Sequence, residues 1–148
     1  MQSLTNSYDD LIKILEQEFS LCSEMVTLLQ KEKDVIAGLD LAALDSHLRD
    51  KELIAAKIGL CEEARGRLLI GIGMSEKSLS EIALEAGPDY SEKLSFIASK
   101  FKSITSSISE LNALNGLLID RSLFYIKSSS RFLKTFGVQA NGKISVEA

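Results

Sequence analysis

A heptad pattern in the last third of the chain constrains the fold more than any other feature. From Leu94 onward, residues spaced alternately three and four apart form one unbroken series. The series is Leu94, Ile97, Phe101, Ile104, Ile108, Leu111, Asn115, Leu118, Ser122, Tyr125, Ser129, Phe132 and Phe136. This spacing predicts a helix that buries one seam against other helices. A helix over 89–136 would be about 70 Å long at roughly 1.5 Å per residue, so its partner helices must be long too.

Two earlier amphipathic stretches supply these partners. The first helix is predicted over 8–36, with an apolar stripe of Tyr8, Leu11, Leu15, Phe19, Cys22, Val26 and Leu29. Its predicted exposed face carries Asp9, Asp10, Glu16, Glu18, Glu24, Lys31 and Glu32. The second helix is predicted over 41–72. Because only a few residues separate the two, the helices should be antiparallel neighbours.

Turn and capping residues punctuate these helices. Gly38 can close the first helix, and Asp40 can cap the second. Ser78 and Glu81 form a capping box that opens a short helix ending near Ala86. After 87–88, a similar pair at 89 and 92 can cap the last helix.

The predicted fold class is therefore all-α: an elongated antiparallel three-helix coiled-coil bundle, with a short extra helix before the long C-terminal helix. The stripes of the first and second helices should pack against 94–118 of the last helix. We expect a single helical domain over 1–137 and a mobile tail over 138–148.

Composition excludes several functional classes. The chain has 148 residues, of which 45% are hydrophobic and 26% are charged, as in soluble proteins. Its longest apolar run falls far short of the roughly 20 residues that span a bilayer, so no membrane insertion is expected. The first ten residues do not resemble a secretory signal, which predicts a cytoplasmic location. Six cations on an apolar helix in an acidic protein do not predict a nucleic-acid-binding face.

No motif for catalysis or metal binding is present. His47 is the only histidine, and Cys22 and Cys61 stand apart in sequence without a CxxC motif, which favours buried thiols. A helical bundle with one exposed histidine is typical of phosphotransfer domains, but the glycine expected near that histidine is missing. We predict that the chain is not an enzyme and binds no cofactor or metal.

The second half of the last helix is more apolar than one seam requires. Ile119, Ile126 and Leu133 share one flank with Leu123, while Leu117 and Phe124 point nearly away from the seam. Residues 94–136 also carry six Lys and Arg against two Asp and Glu, whereas residues 1–93 carry ten against eighteen. Either a flanking helix of the same bundle or a separate chain must cover these apolar flanks.

The order and lengths of these helices, with the motif Asn-x-x-Asn-x-x-Leu-Ile-x-x-Ser-Leu over 112–123, resemble the FlgN family of flagellar type III export chaperones. The resemblance covers about 8–137. It implies a cytoplasmic chaperone that holds the C-terminal segment of hook–filament junction proteins, and it locates cargo binding in the C-terminal portion. The implied cargo-binding residues are Asn115, Leu118, Ile119, Ser122, Leu123, Phe124, Tyr125, Ile126, Phe132 and Leu133, with electrostatic support from Arg121, Lys127 and Arg131.

The resemblance implies two kinds of partner: hook–filament junction proteins as cargo, and the flagellar export apparatus through its ATPase complex or its export gate. A homodimer is compatible with the sequence. The alternative is a non-catalytic structural coiled coil that self-associates through its apolar C-terminal helix.

Overall fold

The computed structural model describes residues 4–135, with the side chains of residues 4–124, 127 and 128. Four helices follow one another: α1 (Leu4–Ala37), α2 (Leu41–Gly71), α3 (Leu79–Glu85) and α4 (Pro88–Thr135). No strand occurs within the described range. The predicted all-α fold class is confirmed. The predicted mobile tail over 138–148 lies outside the described residues, and the domain boundary at 137 remains a prediction.

The central helix is α1. Both α2 and α4 pack along it, and α3 packs on α4, whereas the backbones of α2 and α4 do not closely approach each other in residues 4–135. The close packing of α2 against the last helix that the sequence predicts is therefore not observed. The physical reason lies in α1, whose apolar stripe is wide enough to serve one partner helix on each side.

Contacts along α1 and α4 show that these helices are parallel. The contacting pairs are Tyr8 with Tyr90, Phe19 with Phe101, and Leu29 with Asn115. The ring centroids of the two aromatic pairs are 5.4 and 6.0 Å apart. The α2 contacts run the opposite way, since Glu18 meets Arg65 and Glu32 meets Lys51, so α2 is antiparallel to α1.

The main apolar core occupies the end of the molecule where α3 lies. Its buried members are Tyr8, Leu11, Leu15, Ile82, Ala83, Leu94 and Ile97. The Ser78 side chain caps α3 by accepting a hydrogen bond from the Glu81 amide at 3.2 Å, as predicted. Gly87, at φ 83°, turns the chain into α4, which begins at Pro88, one residue before the predicted cap at Asp89. Proline suits this first helical position because its missing N–H would have no partner there.

The second half of α4 extends beyond α1. Ile36 is the last buried residue of α1, and the contacting pairs of the two helices place it level with about 118–122 of α4. The helix continues from there to Thr135, about 20 Å further at roughly 1.5 Å per residue. The two ends of α4 thus differ: the first half lies on the main core, and the last turns have no part of α1 alongside.

Two carboxylates occupy the buried seam of α1, contrary to the sequence-based prediction that Glu18 and Glu32 are exposed. Each is only 3% exposed. The true seam steps through 11, 15, 18, 22, 25, 29, 32 and 36, whereas Phe19 and Val26 lie to one side, towards α4. Cations from α2 compensate the buried charges, which is why acidic residues are tolerated there.

The Glu32 carboxylate has two polar partners on α2. Its Oε2 atom lies 2.9 Å from His47 Nε2 and 2.8 Å from Lys51 Nζ. His47 is itself buried, at 5% exposure. The single histidine is therefore a structural partner of Glu32, and the exposed imidazole that a phosphotransfer domain needs is absent.

The Glu18 carboxylate has a nearby cation but lacks a hydrogen bond from any described residue to its buried Oε2 atom. Arg65 Nη1 lies 3.2 Å from Glu18 Oε2, but without hydrogen-bond geometry, and this oxygen has no hydrogen-bond partner among the described residues. Burial raises the pKa of Glu18, nearby Arg65 opposes this rise, and Glu62 adds to it. Since the folded pKa lies above the ordinary value of 4.5, protonation favours the folded state. This contribution is fully present below pH 4.5 and is lost as the pH rises through the folded pKa.

We expect Glu18→Gln to raise the free energy of unfolding at pH 7 by about 1 kcal/mol, because a neutral amide costs less to bury than an incompletely bonded carboxylate. Urea unfolding at pH 7 and pH 5 measures this. The wild-type protein should gain more stability on acidification than the variant does. The exposed Glu16→Gln change in the same helix is the control and should leave both values unchanged. A Glu18→Gln protein that is less stable at pH 7 would contradict the assignment.

The turn between α1 and α2 contains a strained residue. Leu39 has φ 50°, a left-handed conformation that costs a side-chain-bearing residue about 1 kcal/mol. The sequence favoured Gly38 as the terminating residue, but the positive φ falls on Leu39. Asp40 caps α2 as predicted, accepting hydrogen bonds from the amides of Ala42 and Ala43 at 3.0 and 3.2 Å.

Leu39→Gly should therefore stabilise the protein by about 1 kcal/mol, because glycine adopts positive φ without strain and the Leu39 side chain is exposed. The matched control is Leu53→Gly, which alters another exposed leucine in the interior of α2. It should destabilise by about 1 kcal/mol. Equilibrium urea unfolding compares the two, and equal destabilisation by both changes would refute the strain at Leu39.

Candidate functional site

A groove runs between α1 and the second half of α4; we call it the α1–α4 groove. It encloses a cavity of about 330 Å³. Its α1 wall is formed by Leu29, Gln30 and Lys33. Its α4 wall is formed by Leu111, Leu114, Asn115, Leu117, Leu118 and Arg121. The lining is mainly leucine, with a cation at each wall.

Asn115 fixes the position of α4 at the floor of this groove. The side chain is buried, and its Nδ2 donates a hydrogen bond of 2.9 Å to the backbone carbonyl of Leu29. An asparagine at a seam position specifies helix register at some cost in stability. The hydrogen bond of Asn115 thus holds α4 to α1 at a point where the main apolar core has ended.

Large apolar side chains on α4 remain exposed on both sides of this seam. On the groove side and the outer side, Leu114, Leu117 and Phe124 are exposed, Phe124 by 74%. On the opposite flank, Ile119 and Leu123 are 38% and 43% exposed. No other described helix covers them, because α2 packs on α1. Exposed apolar surfaces of this kind are typical of sites that bind another molecule.

The charges beside this surface are mainly positive, although the exposed Asp120 lies three or four residues from Leu117, Leu123 and Phe124. Lys33, Arg121 and Lys127 are exposed. None of them forms an ion pair with a described residue. Long basic side chains at the edge of an apolar patch favour a partner that combines apolar anchors with acidic residues, and they speed its association.

The structure distributes the predicted cargo-binding residues over three environments. Asn115 is buried, Leu118 and Ser122 are half-buried against α1, and Ile119, Leu123 and Phe124 are exposed. Tyr125, Ile126, Arg131, Phe132 and Leu133 lie in the helical part of α4, but outside the residues whose side chains are described. In the free protein, Asn115 acts as a positioning residue. A binding role for the whole set remains a prediction.

Sequence reasoning missed the α1 wall. Gln30 and Lys33 follow the buried residues Leu29 and Glu32 by one position, which places them about 100° round the helix, on the side where α4 lies. It also omitted Leu111, Leu114 and Leu117 from the site. The sequence could have indicated Leu114 and Leu117, because both are leucines that lie off the predicted seam. Nothing in the sequence indicated that Lys33 would face Arg121 across a groove.

The described residues offer little for catalysis. No group of three or more His, Cys, Asp and Glu among them could hold a metal ion. Cys22 and Cys61 are free, buried thiols. Burial raises the pKa of both, and neighbouring Glu18 raises each further, so the thiolate form is disfavoured. No helix within 4–135 is long and apolar enough to cross a membrane.

The arrangement therefore suits binding of another polypeptide. A family sequence model described as FlgN protein matches residues 1–141, which include every described helix. No curated protein and no solved structure matches the chain.

Proposed function

The chain belongs to the FlgN family of flagellar export chaperones, and on that premise we propose that it captures the C-terminal helical segment of hook–filament junction proteins. The capturing surface is the second half of α4 together with the α1–α4 groove. The protein is a non-catalytic binding protein of the cytoplasm. It prevents premature assembly of its cargo by covering the segment through which that cargo would otherwise associate, and it delivers the cargo to the flagellar export apparatus.

One observation carries this proposal: α4 exposes Leu114, Leu117, Leu123 and Phe124 alongside the last turns of α1 and at its end. An amphipathic helix recognises such a surface by inserting apolar side chains at i, i+3, i+4 and i+7. Phe124 is the favoured central anchor, since aromatic side chains dominate binding energy at protein interfaces. Asn115 and Leu29 keep α4 in place beside α1, so the groove is formed before cargo arrives.

Basic residues beside the α1–α4 groove favour a cargo segment that carries acidic residues, and they help to set its orientation. Arg121 and Lys33 border the groove, and Lys127 follows on the same helix. The proposed cargo surface continues along the part of α4 that runs past α1. Its further proposed cargo-binding residues are Tyr125, Ile126, Phe132 and Leu133, with electrostatic support from Arg131. A junction-protein segment with carboxylates beside its apolar face fits both features.

A titration tests the proposal: the full-length chain against a peptide of the C-terminal segment of a junction protein, followed by fluorescence anisotropy. We expect one saturable site and a complex with one copy of each chain. A scrambled peptide of identical composition is the control. The outcome that would favour the alternative, a self-associating coiled coil, is a stable oligomer at all concentrations in sedimentation, together with no difference between the two peptides.

A further inference from the structure

A second groove lies between α1 and α2; we call it the α1–α2 groove. It consists of two adjoining cavities of about 740 and 430 Å³, which share Ile14 and Ala64. The α1 wall is formed by Ser7, Asp10, Lys13, Ile14, Gln17 and Leu21. The facing wall comes from α2, between Lys57 and Gly71, and the adjoining Ile72. The proposed cargo surface does not use this groove.

The two grooves lie on opposite sides of the buried seam of α1. Asp10, Ile14, Gln17 and Leu21 each precede a seam residue by one position, whereas Gln30 and Lys33 each follow one. One residue corresponds to about 100° of rotation on an α-helix, so the two sets are separated by about 200°. A molecule in one groove would leave the other open.

The floor of the α1–α2 groove is apolar, and its charged lining residues are mainly basic, with Asp10 as the one acidic residue among them. Ile14, Leu21 and Leu68 are half-buried, and Leu60 is 64% exposed. Lys57 and Arg67 stand on the rim, and both are exposed.

The basic rim is notable because residues 1–93 are strongly acidic, with eighteen Asp and Glu against ten Lys and Arg. Three cations nevertheless line this groove: Lys13, Lys57 and Arg67. None of the three forms an ion pair with a described residue. The other basic side chains of α2 do pair across or along the helices: Arg49 with Asp45, Lys51 with Glu32, and Arg65 with Glu18.

We propose that the α1–α2 groove binds an acidic amphipathic helix of a second partner protein. From Ser7 to Leu21 the groove extends over about 21 Å, which corresponds to about four helical turns of a partner. The partner's apolar side chains cover Ile14, Leu60 and Leu68, and its carboxylates meet Lys57 and Arg67. Bound in this way, it adds a helix on the side of α1 opposite to α4, as in helical bundles.

A pair of designed helical peptides tests this on the full-length chain. Both carry the same apolar face at i, i+3, i+4 and i+7; one carries glutamates beside that face and the other carries lysines. Anisotropy titrations should show saturable binding of the acidic peptide, weakened by added salt, and at least tenfold weaker binding of the basic peptide. The net charge of the chain is −4, so a general attraction would favour the basic peptide instead. Equal or tighter binding of the basic peptide overturns the proposal.

Two double variants with the same change in net charge locate the site. The double change Lys57→Glu and Arg67→Glu should lower the affinity for the acidic peptide about tenfold or more, because two attractive contacts at the rim become repulsive. Lys33→Glu with Arg121→Glu removes any binding of the acidic peptide at the α1–α4 groove and should leave a site in the α1–α2 groove whose affinity changes less than twofold. All four residues are exposed, so both proteins should fold.

Equal loss of binding in both double variants overturns the proposal, as does loss only in the second. The proposal is also wrong if a second copy of the chain occupies the α1–α2 groove. In that case sedimentation would show a dimer, and Leu60→Glu would dissociate it. Cargo binding is measured separately on the same variants. Because Lys57→Glu with Arg67→Glu should not affect cargo, failure of this proposal and failure of the chaperone function are distinguishable.

Discussion

Phe124→Ala and Leu123→Ala should each weaken capture of a junction-protein C-terminal segment by about 30-fold, which corresponds to about 2 kcal/mol at a central interface anchor. Both side chains are exposed in the free protein, Phe124 by 74% and Leu123 by 43%. Their truncation should therefore change the free energy of unfolding by no more than about 0.5 kcal/mol. The combination of lost binding and retained stability distinguishes a partner surface from a bundle core.

The matched control is Leu94→Ala, a leucine of the same helix whose side chain is completely buried. This change should cost about 2–5 kcal/mol of stability and leave cargo affinity within a few-fold while the protein remains folded. Ile104 and Leu111, which also lie on the predicted seam of this helix, are only half-buried and would give smaller effects. Thermal melts and peptide titrations on the same samples make the comparison. If Phe124→Ala and Leu123→Ala melt as early as Leu94→Ala and still bind cargo, this face belongs to the bundle.

Glu32→Ala should destabilise the protein by about 3 kcal/mol, because it removes the shared partner of His47 and Lys51 and leaves their charge and polar atoms in the α1–α2 interface. Lys51 is 23% exposed and can regain some hydration, which limits the loss. The exposed Glu24→Ala change in the same helix should cost less than about 0.5 kcal/mol. Urea unfolding at pH 7 measures both.

A triple replacement separates charge pairing from simple loss of contacts. Glu32→Leu, His47→Leu and Lys51→Met together should recover most of the stability lost in Glu32→Ala, since apolar residues of similar volume often replace a buried ionic cluster without cost. Cargo affinity should stay within a few-fold of wild type in the triple variant and in His47→Ala, because the cluster joins α1 to α2 and lies outside the α1–α4 groove. Loss of cargo binding in a stable His47→Ala protein would assign the histidine a functional role.

The helices themselves could be predicted from sequence because each depends on local signals. The 3–4 spacing and the cap residues Asp40 and Ser78 each act within a few residues, and the structure confirms the helices and both caps. The turn residue could not be predicted by the same rule. Glycine accepts positive φ most readily, yet here the strained position is Leu39, which the geometry of the α1–α2 connection selects.

The central position of α1 could not be predicted from the sequence, because a heptad pattern does not specify which helix packs against it. Several residues fitted the α1 stripe about equally, and hydrophobicity favoured Phe19 and Val26 over Glu18 and Glu32. The structure buries the two glutamates because Arg65, His47 and Lys51 arrive from α2 to compensate them. That compensation depends on the register between two helices, which composition and periodicity do not contain.

The candidate site shows the same division. An excess of apolar residues on the second half of α4 is visible in the sequence, and it led to Leu123 and Phe124. The α1 wall, with Gln30 and Lys33, depends on the parallel register of α1 and α4, which became apparent only from contacts such as Leu29 with Asn115. The burial of Asn115 likewise needed the structure, since an asparagine in a heptad can either bind a partner or hold two helices in register.

Amide hydrogen exchange with and without a bound junction-protein C-terminal segment tests the central claim most directly. If that segment occupies the proposed surface, exchange should slow over 111–124 of α4 and over 29–36 of α1, and should remain unchanged over 57–68 of α2. Slowing confined to 57–68, or bound cargo with no slowing over 111–124, would contradict the account.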